Sequence, residues 1–580
     1  MTFRIIIVLS ELTPYWWGKG SKIRIYFALS LFLVLLTSVF NLLIPISFKS
    51  LVNNLLNLKK VFPNEIIMLL AYSFLWLGSQ ITIQLREIML MRPLQRAARL
   101  LSTHIFSHLH NLPMSFHLNR RTGALISIME RAQQSMPELF FGAFLYVFPT
   151  TLEICGAILI LLLLYKAHYA VIVSIILVFY LLFTIVAIRW TSRAQRLSNE
   201  KDANANSRIV DSLINIEAIK YLGTKDHEIN TCDHLLHLYE RAEANKKIIF
   251  ESVHLGQGII MGLGLFIVTW IAVDDIKTGL LTIGDLILIN GYFMQFVYPL
   301  SHFGHILQDI QRGITNMEDA LNILGTPTAI VKTHKLNTLR DTSIEFKNVS
   351  FNYNGRKIIN NLSFKVNAGQ TLAIVGSTGA GKSTIARLIS RLYTPQDGQI
   401  LLGKYPLNAI REEELSRLIG VVSQDITLFN DTLLYNLTYG LTHITQKEVD
   451  QAIEEAQLKE FISSLPEGYI TKVGERGLKL SGGEKQRLAL ARLFLRKPSI
   501  FILDEATSAL DTETERHILN ILSTNYKDTT RIVIAHRLST LTNAEQILVF
   551  SHGKIVERGT HSSLLSRNGL YTVLWEQQHG

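Results

Sequence analysis

Six apolar stretches, each long enough to cross a bilayer as a helix, crowd into the first 300 residues of a 580-residue chain. They cover approximately residues 25–48, 66–85, 139–165, 169–188, 255–273 and 280–300. Several exceed 18 residues with few or no charges, which excludes the buried helices of a large soluble protein. Such a segment must satisfy all its backbone polar groups internally, so the first half is restricted to a helical bundle. The connections alternate in length. The long ones, 86–138 and 189–254, are polar and helical in pattern and hold most of this half's Lys and Arg. The positive-inside rule puts them, and the amino terminus, on the cytoplasmic side. An even number of spans returns the chain to that side before residue 301.

The formal net charge of +10 would suggest nucleic-acid binding in a soluble protein, but cytoplasmic loops of a membrane protein account for it. Two cysteines, Cys155 and Cys232, rule out a disulfide framework. The chain begins without a cleavable signal or an Arg- and Ser-rich transit extension, which leads to the expectation of a bacterial inner (plasma) membrane. The domain boundaries expected are a membrane domain over 1–324 with cytoplasmic coupling loops, a linker over 325–340, and a soluble domain over 341–580. In the last, β-rich runs alternate with helical patterns, as in an α/β nucleotide-binding fold.

The chemistry lies in that second half. A short apolar run, 371–375, precedes Gly376-Ser377-Thr378-Gly379-Ala380-Gly381-Lys382-Ser383-Thr384 and an amphipathic segment. This is the P-loop (Walker A) in its strand–loop–helix context. Its glycines let backbone N–H groups close round phosphates at a helix N-terminus. Lys382 reaches the β- and γ-phosphates of ATP, and the Ser383 hydroxyl binds Mg²⁺. A second apolar run, 500–503, ends in Asp504 and Glu505. Asp504 is placed to hold the Mg²⁺ shell and Glu505 to polarise the attacking water.

Between them, Leu480-Ser481-Gly482-Gly483-Glu484-Lys485-Gln486-Arg487 resembles the signature of ABC ATPases, and the family's other elements follow in order. Tyr353 resembles the aromatic that stacks on adenine. Gln424 resembles the glutamine that senses Mg²⁺ and the γ-phosphate. Residues 508–511 resemble the loop crossing the dimer interface, and His536 resembles the histidine that contacts the γ-phosphate. The resemblance implies six transmembrane helices in type I ABC exporter architecture joined to an α/β P-loop ABC ATPase domain. It also implies that Ser481 and Gly483 cover the ATP of a second half-transporter. An identical copy is the expected partner, with a different half-transporter as the alternative.

Residues 114–123 and 209–223 further resemble the half-exporters of mitochondria and of heavy-metal tolerance, whose cargoes are glutathione conjugates, oxidised glutathione or metal–thiol species. Carried over, the cargo site comprises Arg189, Arg193, His254, Gln257, Ser301, Gly304, His305 and Gln308. The family's paired arginines fall in register on Thr191 and Gln195, with Arg189, Arg193 and Arg196 beside them. His302 and His305, spaced i, i+3, could with His254 bind a metal ion or form a proton-sensitive site, or simply be hydrogen-bonded helix residues. The alternatives to thiol-derived cargo are a multidrug or lipid-like exporter and an ATP-gated membrane regulator of the same fold.

Overall fold

The computed structural model describes residues 10–17, 21–56, 63–119, 122–165, 167–328, 341–353, 355–474, 477, 479–535 and 541–579. The chain divides into two compact units. One is Met1–Asn111 with Arg120–Pro327, the other Leu112–Asn119 with Thr328–Gly580.

The first unit is helical. Its elements are α1 (Ser21–Leu56), α2 (Pro63–His110), α4 (Thr122–Phe140), a π-helical turn (Phe141–Val147), α5 (Phe148–Leu164), α6 (Ala167–Ile214), α7 (Ile216–Leu222), α8 (Lys225–Lys277) and α9 (Ile283–Leu324); the short α3 (Met114–Asn119) groups with the second unit. Among the described residues, α1, α2, the continuous α4–α5 rod, α6 and α8 are long and apolar enough to cross a membrane. The sixth helix, α9, is not in that set, because Asp285, Asn290 and Gln295 dilute its apolar stretch. Those side chains turn toward protein and not toward lipid. Asp285, for instance, is buried and pairs with Lys49 of α1 at 2.6 Å, while Tyr165 donates to it at 2.7 Å. This pair closes the ends of α1, α5 and α9 on the side opposite the long loops. Asp285 also completes a capping box with Thr282 that starts α9.

Helix α1 packs along α2 and α6 along α8. Pro299 interrupts α9 and removes one rung of its hydrogen-bond ladder. Two tyrosine hydroxyls grip the helix there. Tyr146, in the π-helical turn, donates to the Pro299 carbonyl at 2.9 Å, and Tyr180 of α6 donates to the Leu300 carbonyl at 2.5 Å. The two cysteines are free.

The second unit holds two sheets. With β1 (Ile344–Tyr353), β2 (Arg356–Val366), β4 (Asp397–Leu402) and β5 (Tyr405–Pro406), a four-stranded antiparallel sheet has the order β2-β1-β4-β5; with β3 (Thr371–Gly376), β6 (Ile419–Val422), β7 (Ile500–Asp504), β8 (Thr530–Ile534), β9 (Gln546–Ser551) and β10 (Lys554–Gly559), a six-stranded sheet has the order β10-β9-β3-β8-β7-β6. In the latter β9, β3, β8, β7 and β6 run parallel, while β10 (Lys554–Gly559) is antiparallel to β9. The central strands β3 (Thr371–Gly376), β7 (Ile500–Asp504) and β8 (Thr530–Ile534) are apolar runs with helices on both faces, as a buried parallel sheet requires. In such a sheet ligands gather beyond the carboxyl ends of the strands. The P-loop leaves β3 at that end, and Asp504 and Glu505 leave β7 there.

Candidate functional site

The P-loop's shape follows from its glycines. Gly376 has φ +151°, and a Cβ there would lie 2.2 Å from the Phe550 carbonyl oxygen on the neighbouring strand β9, so only glycine fits. Ser377, Thr378 and Gly379 are exposed at the top of the loop, while Ala380 and Thr384 are buried beneath it. Gly381 caps α10 (Lys382–Ile389), whose first residue is the P-loop lysine. Lys382 is buried, and its Nζ donates to the carbonyls of Gly376 and Ser377 at 2.8 and 2.9 Å. Burial pulls its ammonium below the ordinary lysine value, against the opposing pull of Glu505 and Asp504. The ammonium is therefore folded over its own loop, positioned to exchange two carbonyls for phosphate oxygens.

Ser383 Oγ donates to Asp504 Oδ1 at 3.2 Å. Burial pushes the Asp504 carboxyl above its ordinary value, with Ser383 working in the other direction. A hydroxyl facing a desolvated carboxylate is a pair of hard oxygen donors, the chemistry a Mg²⁺ ion suits. Gln424 follows β6 (Ile419–Val422), and its Nε2 donates to Glu505 Oε2 at 2.9 Å. Glu505 has φ +52°, strained for a residue with a side chain, and its N–H donates to the Ile534 carbonyl at 2.9 Å. His536 lies outside the described residues. Tyr353 packs edge-on against Phe351 and Tyr393, and its hydroxyl accepts from Arg387 at 3.3 Å.

Ser481 caps α11 (Gly482–Arg496). Its hydroxyl oxygen accepts from Glu484 N–H, and the Glu484 carboxylate accepts from Ser481 N–H at 2.7 Å. Among the described residues, the hydroxyl's own proton is left for another acceptor. Gly483 permits close approach, since a Cβ there would lie 3.0 Å from the Ala509 carbonyl. Sequence reasoning missed Gln486, three residues on. Its buried side chain donates to Glu505 O (3.1 Å) and Ser508 Oγ (2.9 Å) and accepts from Ala509 N–H (2.9 Å). The signal was there in a polar residue on the apolar face of α11.

In the helical unit a small pocket between α6, α8 and α9 is lined by six of the eight expected cargo residues: His254, Gln257, Ser301, Gly304, His305 and Gln308. Gln257 donates to Thr184 at 2.9 Å and Gln308 to Thr191 at 2.7 Å. Arg189 and Arg193 do not line it. The wall from α6 is Thr184, Ala187, Ile188 and Thr191, one helical stripe, and both arginines are rotated off it and exposed. His254 and His305 meet Nε2 to Nε2 at 3.2 Å, and Phe250 stacks on His305. His302 turns to Ser301 instead. Among the described residues no group of three or more His, Cys, Asp or Glu could hold a metal, so the three-imidazole metal site is not formed.

A bundle of long apolar helices joined to a P-loop domain carrying an ABC signature defines an ATP-binding, exporter-type half-transporter. Residues 27–300 match the family model of the ABC transporter transmembrane region and residues 359–508 that of the ABC transporter. The chain is 38% identical to ABC transporter B family member 6 of Dictyostelium discoideum, over 98% of this chain and 86% of that one. It is 36% identical to the iron–sulfur clusters transporter ATM1, mitochondrial, of Chaetomium globosum, over 98% and 96%. A bacterial Atm1-family ABC exporter solved with ATP bound superposes with TM-score 0.86 at 35% identity, covering 96% and 98%. The chain belongs to the Atm1-type ABC half-exporters, whose ATP hydrolysis is coupled to transport. The expectation of a bacterial inner membrane is overturned, because several relatives of about this similarity are mitochondrial by name. The physical reason is simple. Both kinds of bilayer present a similar hydrocarbon thickness, so the spans do not encode which one they cross.

Proposed function

We propose that two copies of this chain form a homodimer that exports a small thiol-derived species by alternating access. Candidate cargoes are a glutathione conjugate, oxidised glutathione or a metal–thiol compound of the kind implied by the iron–sulfur cluster transporters among its relatives. The observation that carries this reading is the pocket at His254, Gln257, Ser301, Gly304, His305 and Gln308. Amides, imidazoles and a hydroxyl stand among its lining residues, within a membrane half tied to an ATPase.

Each chain contributes half of each ATP site. Tyr353 offers its ring to adenine. Residues 376–381 wrap the phosphates with backbone N–H groups, and Lys382 pairs with the β- and γ-phosphates. Ser383, Asp504 and Gln424 would hold Mg²⁺, which neutralises phosphate charge when bound. Glu505 orients the attacking water and takes its proton. His536 contacts the γ-phosphate. Ser481 and Gly483 face the nucleotide on the other copy, so one chain alone completes no site.

The reading of a second copy has a further support. Leu213, Ile214, Tyr221 and Leu222, at and beside α7, are strongly exposed in the single chain, and no residue of α7 is buried. An apolar surface of this kind in a polar connection between spans is one a partner would cover. On this reading the loop docks on the nucleotide domains and passes their closure to the cargo pocket as rigid-body motion.

The test is ATP turnover of the protein in lipid, with and without oxidised glutathione, glutathione and metal–glutathione mixtures, together with ATP-dependent accumulation in inverted vesicles. Stimulation with accumulation supports the thiol-derived class. Turnover that ignores all of them would overturn that cargo and leave an exporter of other amphipathic molecules.

A further inference from the structure

Arg189 and Arg193 are turned away from the cargo pocket, and the phase of α6 decides where they go instead. Val171, Ile175, Val178, Leu182 and Ile185 form one exposed stripe down that helix. At about 100° per residue, Arg189, Arg193 and Arg196 continue the same stripe to within roughly 40° of its first residue. All three are exposed. The stripe therefore passes from apolar side chains to guanidinium groups, with the exposed Trp190 at the change.

Helix α8, packed beside α6, shows where that change falls. Gln257 bonds Thr184 and Ser198 bonds Glu243, so the two helices run antiparallel in a fixed register. By that register Trp270 of α8 is level with residue 171 of α6. Trp270 is exposed and ends a second exposed apolar stripe, formed by Leu255, Ile259, Leu263 and Phe266. From the level of Trp270 to Trp190 the rise is about 28 Å, near the thickness of a bilayer's hydrocarbon core, about 30 Å. Tryptophans at both ends of an apolar face mark the two membrane–water boundaries. A face covered by protein is under no such constraint of length and order.

Beyond the hydrocarbon lies a headgroup layer roughly 5–8 Å deep. Arg189 and Arg193, one turn and about 6 Å apart along the axis, fall within it. Arg196 is a turn farther out, and the tilt of helical side chains toward the N-terminus leans it back to the same layer. Among the described residues no carboxylate pairs with any of the three, although Arg208 and Lys246 on the same two helices are paired with Glu228 and Glu243. Glu251, exposed on α8 at the level of Trp190, forms no ion pair with them either. A guanidinium fork that no carboxylate occupies matches the oxygens of a phosphate bidentately.

We infer that Arg189, Arg193 and Arg196 form a binding site for the phosphate of an anionic phospholipid. Its acyl chains lie along the apolar stripe of α6, with Trp190 at the boundary between chain and headgroup. The site is separate from the cargo pocket and does not depend on a thiol-derived cargo.

The experiment places the full chain in nanodiscs of phosphatidylcholine and phosphatidylglycerol at one fixed ratio. The same fraction of lipid carries brominated acyl chains, either all on phosphatidylglycerol or all on phosphatidylcholine. Bromine quenches a tryptophan it touches, and the difference between the parent and Trp190→Phe isolates the Trp190 signal. The expected result is a relative association constant at Trp190 at least threefold in favour of phosphatidylglycerol. The triple variant Arg189→Gln, Arg193→Gln, Arg196→Gln brings that preference down to parity. Raising salt from about 0.05 to about 0.5 M at least halves the preference in the parent, because exposed charges are screened. This last measurement needs no variant at the arginines, so the test survives if the triple variant misfolds. Equal quenching by the two lipids in the parent, a preference that persists without the arginines, or one indifferent to salt would overturn the inference. So would a Trp190 that neither lipid quenches, which would assign this face to contact with a second copy of the chain.

Discussion

Replacing Gln486 with Ala should cripple ATP turnover while sparing ATP binding, although Gln486 lies on the signature helix and not in the P-loop. Its side chain makes three hydrogen bonds, all to residues 505–509. At about 1 kcal/mol net for each, the loop gains about 3 kcal/mol of restraint. Against that stands the strained backbone of Glu505, which at φ +52° costs on the order of 1–3 kcal/mol. The two are closely matched, so removing the restraint lets the turn relax and carries the carboxylate off its hydrogen bond with Gln424. A shift of about 1.4 kcal/mol is tenfold in the competent population, so turnover should fall roughly ten- to a hundredfold. Gln486→Glu should fare little better, since a carboxylate can accept from Ala509 but cannot donate to the Glu505 carbonyl. The assay is steady-state turnover in nanodiscs beside equilibrium binding of a fluorescent ATP analogue. A Gln486→Ala protein that turns over within twofold of the parent would refute the reasoning, even if it melted at a lower temperature.

Glu505→Gln should retain ATP binding and the contact with Gln424, yet lose turnover by about 10²–10⁴-fold as general-base catalysis disappears, read by phosphate release. Gly376→Ala should abolish ATP binding in a filter assay, because the added carbon would sit 2.2 Å from the Phe550 carbonyl. The Asp511 carboxylate, which caps the helix Thr512–Thr524 and accepts from Thr514 N–H at 2.9 Å, is held below the ordinary aspartate range by those backbone bonds. Its contribution is complete above the unfolded value of about 4 and drains as pH falls toward the depressed folded value. Intrinsic-rate-corrected hydrogen exchange at the Thr514 amide should therefore stay protected at neutral pH and lose protection below about pH 4, and Asp511→Ala should lack that transition.

Much of this was legible in the sequence wherever the signal is local. Long apolar runs, a glycine-spaced loop after a buried strand, and acids at a strand end each report their own backbone. Helical phase is a different matter. Arg189 and Arg193 sit in the right stretch of α6, but each step along a helix turns the side chain about 100°, and the neighbouring helices decide which stripe faces the pocket. That is why Thr184 and Thr191 line the cavity and the arginines do not. Gln486 was hidden for a related reason, since its partners lie about twenty residues farther along the chain and only folding brings them together.

The grip of Tyr146 and Tyr180 on α9 at Pro299 divides one rod into two cassettes. Residues on the C-terminal side of the proline, 301–308, and those on its N-terminal side, 287–295, share a helix but not a register that must move together. Descendants of such a sequence can therefore exchange residues in one cassette, and with them a taste in cargo, without re-registering the other. Divergence within the lineage is expected to fall in blocks on either side of that clamp, with the two tyrosines and the proline kept.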